Sequence, residues 1–267
     1  MILWLNMEAF MTINIPNNRI NTKASKSMSA LLSRQDYLVV QGNDLARAFG
    51  NLTSFQHKIL DYCFSFVKKD SQPIDVYTAS ALDIIHHLGL TASGTNYQRV
   101  GEAFKALNEK TALYLHIQRA NGTDGIRMTQ LFDNIDFYED GKIEFRFSQS
   151  AVPYVYELRK NFYSFKLREL ANIKSKYSLI MMKLWQANKM GNQLDVTIKG
   201  ITEDWQSWFL GDRKRWSAGR FKQRVLDVAT KELGDKLGCW FLIKTIKSGV
   251  RVVGYEITIH EKDSKRP

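Results

Sequence analysis

The sequence predicts an α+β fold with two tandem winged-helix domains, each built from three helices and a β-hairpin wing. The order helix, helix, helix and hairpin occurs twice along the chain, at an offset of about 120 residues. Few residues are identical between the two units, so the shared order carries the prediction. The matching residues are Ile74, Asp75 and Val76 with Leu194, Asp195 and Val196, and Val100, Phe104 and Leu107 with Phe221, Val225 and Val228.

The first unit is predicted to occupy residues 36–150. It follows an arm of residues 1–35, which shows no sustained apolar period and is expected to be poorly ordered. Apolar residues at three- and four-residue spacing indicate helices, and glycine turns at Gly122 and Gly141 separate the strands. The predicted helices cover residues 53–68, 79–88 and 95–110, and the predicted strands cover residues 113–119, 126–137 and 142–147.

The second unit is predicted to occupy residues 167–260, after a connector of residues 151–166 and before a basic tail of residues 261–267. Its third helix is amphipathic and is followed by two strands around Ser248 and Gly249, as the wing of a winged helix requires. The predicted helices cover residues 167–190, 202–210 and 218–233, and the predicted strands cover residues 240–247 and 250–259.

The charge of the chain is unevenly distributed. The formal net charge is +11 and the isoelectric point is near 9.5. Residues 1–150 contain 15 Lys and Arg and 15 Asp and Glu, whereas residues 151–267 contain 23 and 12. A basic balance is typical of proteins that bind nucleic acid or an anionic membrane surface. The asymmetry therefore predicts that the second part of the chain contacts a polyanion.

Cysteine usage and hydropathy predict a soluble cytoplasmic protein that does not bind a membrane. Cys63 and Cys239 are the only cysteines, too few for a disulfide framework or a four-cysteine zinc site, and both are expected in the core. No stretch approaches 18 apolar residues, and the apolar start lacks the basic leader of a signal peptide.

The third helix of the second unit contains the residue types that read bases. Apolar residues lie on one side of this helix at about 100° per residue. Arg bonds guanine bidentately and Gln bonds adenine, so Arg220, Gln223 and Arg224 are predicted to read bases in the major groove, with Lys231 as a further DNA contact. Asp227 is expected to orient an Arg or to accept a hydrogen bond from cytosine. The apolar residues are Phe221, Val225, Leu226, Ala229 and Leu233.

Two further basic groups are predicted to bind phosphates. A basic turn precedes the helix, where free amides also favour anions. Lysine and arginine residues along the second hairpin reach the backbone or the minor groove. Alternatively, the turn is an ordinary solvated charged face, and the hairpin lysines only discourage edge pairing. The residues are Arg213, Lys214, Arg215 and Ser217 in the turn, and Lys244, Lys247 and Arg251 in the hairpin.

The third helix of the first unit is a weaker candidate for DNA binding. It exposes Glu102 and Glu109 beside Arg99 and Lys105, and these carboxylates repel phosphates unless they are paired. The helix either makes an auxiliary DNA contact or forms a surface for protein association. The candidate contacts at its start are Ser93, Thr95, Asn96, Gln98 and Arg99.

No motif for catalysis is found, so the chain is not expected to be an enzyme or to need a cofactor. It contains no phosphate-binding GxxxxGK[ST] loop. His86 and His87 are adjacent rather than spaced as a metal pair, and they are expected at a helix surface and its edge. The tryptophans are expected in the core rather than on base-stacking platforms. They include Trp185, Trp205, Trp208 and Trp240.

Two segments carry a family resemblance: residues 173–185, beginning Ile-Lys-Ser-Lys-Tyr-Ser, and residues 221–233 in the third helix of the second unit. They look like the opening of the second domain and the recognition helix of the Rep_3 family of plasmid replication initiators, which contain two winged helices. The resemblance covers residues 36–260. Residues 37–68 resemble the opening of its first domain. The resemblance implies DNA contacts at Lys174, Ser175 and Lys176. The sequence departs from the family at Met181 and Met182, where an Arg and a bulky residue are usual.

The resemblance also implies how such a protein works. A monomer binds direct repeats of double-stranded DNA at a plasmid origin, a dimer binds an inverted repeat in its own promoter, and host replication proteins such as a helicase or initiator are recruited. Two other classes remain open from the residues. One is a winged-helix transcription regulator without an initiator role, and the other is a DNA nicking enzyme.

Overall fold

The computed structural model describes residues 38–42, 49–68, 70–122, 124–155, 162–191, 193–211 and 215–261. The predicted arm of residues 1–35 and all but the first residue of the basic tail lie outside these ranges. In the described part of the chain, no helix is long and apolar enough to cross a membrane.

The three predicted helices of the first unit are present, each with a polar residue at its start. Thr53 and Gln56 form a reciprocal capping box, in which each side chain accepts a hydrogen bond from the other's amide. Ser80 and Ser93 cap the second and third helices through their hydroxyls. The first helix ends four residues earlier than predicted. The elements are β1 (Leu38–Gly42), α1 (Ser54–Phe64), β2 (Tyr77–Ser80), α2 (Ala81–His87) and α3 (Gly94–Lys110).

The predicted strand over residues 126–137 is wrong, because the chain forms two strands there. Leu131 is buried between them and donates its amide to the Thr111 carbonyl. The first strand pairs in a separate two-stranded hairpin, and the second joins a three-stranded antiparallel sheet with strand order β2-β6-β5. The wing of the first unit is therefore the hairpin at Gly141. The strands are β3 (Ala112–Gln118), β4 (Asp124–Gln130), β5 (Phe132–Phe137) and β6 (Lys142–Phe147).

The predicted single helix over residues 167–190 is also wrong. It is divided in two because Ser175 begins a new helix, accepting a hydrogen bond from the Tyr177 amide. The Glu232 carboxylate accepts the amides of Lys174 and Ser175 at 2.7 and 2.9 Å, which anchors this break. A strand that the sequence did not indicate pairs with β1. The elements are α4 (Val152–Val155), β7 (Phe162–Lys166), α5 (Leu167–Ala171) and α6 (Lys176–Asn188).

The second unit repeats the sheet of the first. Its strand order is β8-β10-β9, in which the last strand lies in the middle as in β2-β6-β5. This shared topology confirms two tandem winged helices in an α+β fold. Strand β8 was not predicted. The elements are β8 (Asp195–Ile201), α7 (Thr202–Leu210), α8 (Ala218–Phe221), a π-helical turn (Lys222–Leu226), α9 (Asp227–Leu237), β9 (Trp240–Ser248) and β10 (Arg251–His260).

The core contains most of the residues predicted for it. Both cysteines are buried, as are Trp185 and Trp205. The prediction is wrong for Trp240, which is 58% exposed on the outer face of the second sheet and stacks on His260 at 3.5 Å between ring centroids. His86 is exposed as expected, but His87 is buried against the Tyr62 ring rather than at the helix edge.

A buried ion pair joins α1 to α6. The Lys183 ammonium lies 2.7 Å from a carboxylate oxygen of Asp61, and the two side chains are 3% and 0% exposed. His57 Nδ1 lies 3.3 Å from the same ammonium. Burial, together with the positive charges of Lys183 and Lys176, holds the pKa of His57 well below its usual value. His57 is therefore neutral in the folded protein.

This neutral histidine predicts that stability falls at low pH. In the unfolded chain His57 takes up a proton below about pH 6.5, whereas the folded protein does not. The stability is therefore full above pH 6.5 and is lost below it, with a slope of at most about 1.4 kcal/mol per pH unit. Urea unfolding of the protein and of His57→Asn from pH 8 to pH 5 measures the effect. The variant should show a shallower decline; parallel profiles would contradict this origin.

Candidate nucleic-acid interface

The 218–237 helix, formed by α8, the π-helical turn and α9, has a buried face and a polar outward face. Arg220, Gln223, Arg224 and Lys231 are all exposed. Among the described residues, the side chains of Gln223, Arg224 and Lys231 form no hydrogen bond or ion pair. The five predicted apolar residues are buried on the other face. They are Phe221, Val225, Leu226, Ala229 and Leu233.

One residue on the outward face is not buried, although the sequence repeat matched it with a buried residue of the first unit. Val228, which the repeat matched with the inward-facing Leu107, is 41% exposed. Only Phe221 and Val225 of that matched set face inward in the second unit.

A π-helical turn lies in the middle of this helix, at Lys222–Leu226. Such turns are rare and frequently occur at functional sites. The turn places Lys222 and Asp227, five residues apart, in an ion pair of 2.7 Å. In an α-helix this spacing points the two side chains in different directions. Asp227 is thus compensated by Lys222 rather than by an arginine, which reduces the negative charge on the outward face.

The basic turn and the wing meet in one cleft beside the start of this helix. The cleft has a volume of about 320 Å³, and Arg215, Ser217 and Arg251 line it. Arg215 is exposed and donates a hydrogen bond to the Gly211 carbonyl at 2.7 Å. Ser217 occupies the N-cap position, but its hydroxyl forms no capping bond. Arg213 and Lys214 lie outside the described residues.

The wing residues fall into two groups. Lys247 and Arg251 are exposed next to the hairpin turn, where Gly249 has a φ of 59°. Lys244 lies further along β9 on the outer sheet face, 3.9 Å from Glu256, and does not join the cleft. The geometry therefore brings Arg251 to the helix start and places Lys244 elsewhere.

The residues at the start of α6 have structural contacts. Lys174 and Ser175 donate their amides to Glu232, and Ser175 is the N-cap. Burial raises the pKa of Glu232, but hydrogen bonding from the Ser178 side chain, from these two amides and from the Lys236 side chain outweighs it, so the net shift of the pKa is downward. The Lys176 ammonium donates to the Gly50 carbonyl at 2.6 Å. Their DNA contacts stay predictions.

Several of the candidate DNA-contacting residues of α3 already contact other side chains of the protein. The Arg99 guanidinium lies 4.5 Å from the centroid of the Phe55 ring and donates to Asn96. Gln98 donates to Glu102 at 2.8 Å. Ser93 caps the helix and Thr95 is exposed. The adjacent wing carries Glu139 and Asp140 at its turn, where the second wing carries Ser248 and Gly249. The first unit therefore presents a mixed rather than a cationic face.

Family models match both units. The model described as initiator replication protein, WH1, matches residues 38–186, and the model described as initiator Rep protein, WH2, matches residues 200–259. The chain belongs to the initiator replication protein family. The resemblance seen in the sequence is thereby confirmed.

A solved structure shares the fold of this chain, and two others match it with lower scores. The crystal structure of Pi initiator protein in complex with iteron DNA matches with a TM-score of 0.67 at 13% identity, covering 85% of the initiator and 98% of that chain. Domains 2 and 3 of RctB match with a TM-score of 0.48 at 12% identity, covering 78% and 82%. The WH1 domain of MSBI1.176, a replication protein isolated from a multiple sclerosis patient, gives 0.30 at 16%, covering 51% and 82%. No curated protein matches the initiator.

Two residues beside the candidate interface were not predicted from the sequence. The buried Gln206 side chain bonds both backbone polar groups of Trp216, donating to its carbonyl at 2.9 Å and accepting from its amide at 2.7 Å. The Trp216 ring lies 4.6 Å from the Arg220 guanidinium. The available signal was a polar residue at an inward position of α7, beside the buried Trp205 and Phe209.

Proposed function

We propose that this initiator binds repeated double-stranded DNA sites at a plasmid origin and that the second winged helix is the main reader. The observation that carries the proposal is the outward face of the 218–237 helix. Gln223 and Arg224 on it are exposed and form no hydrogen bond or ion pair among the described residues, next to a cleft lined by Arg215 and Arg251. Such groups match base edges in the major groove and phosphates beside it.

The charge distribution and the fold support the same proposal. All of the net positive charge lies beyond residue 150, in the part of the chain that contains the second unit. The Pi initiator protein, which shares the fold over 98% of its chain, is described in complex with iteron DNA. Binding through a helix and wing is the usual mode of winged-helix proteins.

The finer steps follow from the family resemblance. The monomer binds direct repeats, a dimer binds an inverted repeat in its own promoter and represses it, and host replication proteins are recruited at the origin. The first unit, with its mixed face, supplies an auxiliary DNA contact or the association surface. No catalytic step or cofactor is part of the proposal.

Footprinting on the parent plasmid tests this function. Protection is expected over a run of direct repeats, because each repeat should hold one chain across about two helical turns. Affinity for one repeat should fall steeply with salt, with a log–log slope of about −3 to −5 from roughly three to six neutralised phosphates. A slope near zero would contradict the electrostatic contacts. Protection of one isolated palindrome alone would instead favour a transcription regulator.

A further inference from the structure

An aromatic ring supports the first base-reading candidate of the 218–237 helix. Trp216 lies two residues before this helix, and Arg220 lies in the first turn of the helix. The Arg220 guanidinium carbon is 4.6 Å from the centroid of the Trp216 ring. At this distance an arginine is attracted to the face of an indole by a cation–π interaction.

The backbone that carries this ring is held in place. Gln206, whose side chain is 3% exposed, bonds both the amide and the carbonyl of Trp216. An amide side chain that donates and accepts at once has one orientation, so the position of Trp216 is fixed relative to α7. The helix start is tied down separately, because the Tyr255 hydroxyl donates to the Ala218 carbonyl at 2.7 Å.

This arrangement orders Arg220 without neutralising it. A free arginine side chain has many rotamers, and ordering it on DNA costs about 2 kcal/mol. A carboxylate would order it too, but would occupy its donors. Among the described residues no carboxylate is paired with Arg220, and the nearby Asp227 is bound to Lys222 instead. The tryptophan ring leaves all five guanidinium N–H groups available for a guanine.

We propose that Trp216 is a positioning residue that orients Arg220 for guanine recognition and that Gln206 holds Trp216 in place for this task. The proposal rests on the proposed function, since it assigns a role within the same DNA interface. It extends the reading site from the exposed helix face to a buried glutamine on the preceding helix.

A double-mutant cycle in the full-length protein tests the role. The probe is a duplex that the wild-type protein selects from a random-sequence library, compared with a random duplex. Trp216→Leu should weaken binding to the selected duplex about fivefold, leave the random duplex nearly unchanged, and relax the preference at one guanine. Trp216→Phe, which keeps a ring, should restore most of the affinity. In an Arg220→Ala background, Trp216→Leu should cause no further loss.

The outcomes separate the two proposals. An equal loss from Trp216→Leu with and without Arg220 would show that Trp216 only supports the fold, and would overturn the positioning role. So would a Trp216→Leu variant that keeps the full guanine preference of the wild type. A wild-type protein that selects no sequence at all would overturn the proposed function and this role with it.

Discussion

Replacing Lys183 by Ala is expected to lower the free energy of unfolding by about 3–5 kcal/mol, because it leaves the Asp61 carboxylate in the core without its cation. The two side chains are almost fully buried and 2.7 Å apart. Water cannot solvate the remaining charge well in the core, so losing the cation that faces it is strongly destabilising. Urea unfolding at pH 7 measures the difference.

Two control variants make this test specific. In Asp61→Leu with Lys183→Met both charges are removed, and much of the stability should return. Lys105→Ala breaks an exposed pair in which Lys105 and Glu109 are 3.9 Å apart, and it should cost less than about 1 kcal/mol. A loss from Lys183→Ala as small as that from Lys105→Ala would show that the buried pair is not what holds α1 on α6.

Replacing both Gln223 and Arg224 by Ala is expected to remove most sequence-specific binding. Each bidentate base contact contributes about 1–3 kcal/mol of discrimination, so losing both should weaken the selected duplex roughly a hundredfold. Random duplex DNA should be affected far less, because phosphate contacts at Arg215 and Arg251 are retained. Both residues are exposed on the 218–237 helix and have no partners among the described residues. The fold should therefore tolerate the change, and circular dichroism checks this.

The helices and their faces could be predicted because local patterns determine them. Capping residues such as Thr53 and Ser93 and the apolar stripe of the 218–237 helix are all visible in the sequence. Short strands were harder to predict from the sequence. Strands β1, β7 and β8 are stabilised by pairing with distant segments, so their five to seven residues carry little local signal.

Long-range contacts also explain the two wrong boundaries. The break before α6 depends on Glu232, which lies 57 residues from Ser175 and binds its amide. The separation of β4 from β5 depends on which partner each strand finds, and the mixed polar and apolar residues 126–137 do not reveal that.

The exposed charged and polar residues of the candidate site could be predicted from the sequence, but the contacts that hold them in place could not. The arginines and glutamine of the outward face were evident from helical spacing and residue type. The contacts between Gln206 and Trp216 were not, because they join α7 to the turn that follows it. The Lys222–Asp227 pair likewise requires a π-helical turn, which ordinary helical spacing does not indicate.

The division of labour between the two units is best tested in the intact chain. A fragment beginning near residue 165 would lack Asp61 and leave Lys183 of α6 without its buried partner. Substitutions in the full-length protein avoid this problem. The chain offers a matched pair for the comparison, because Gln98 and Arg99 on α3 repeat the Gln-Arg sequence of Gln223 and Arg224.

The decisive measurement is one titration of both double variants on the selected duplex at fixed salt. Gln223→Ala with Arg224→Ala should lose roughly a hundredfold in affinity and most of the base preference. Gln98→Ala with Arg99→Ala should lose only a few-fold, because those side chains already bind Glu102, Asn96 and the Phe55 ring. Equal losses, or a larger loss from the α3 variant, would contradict the assignment of the main reader to the second winged helix.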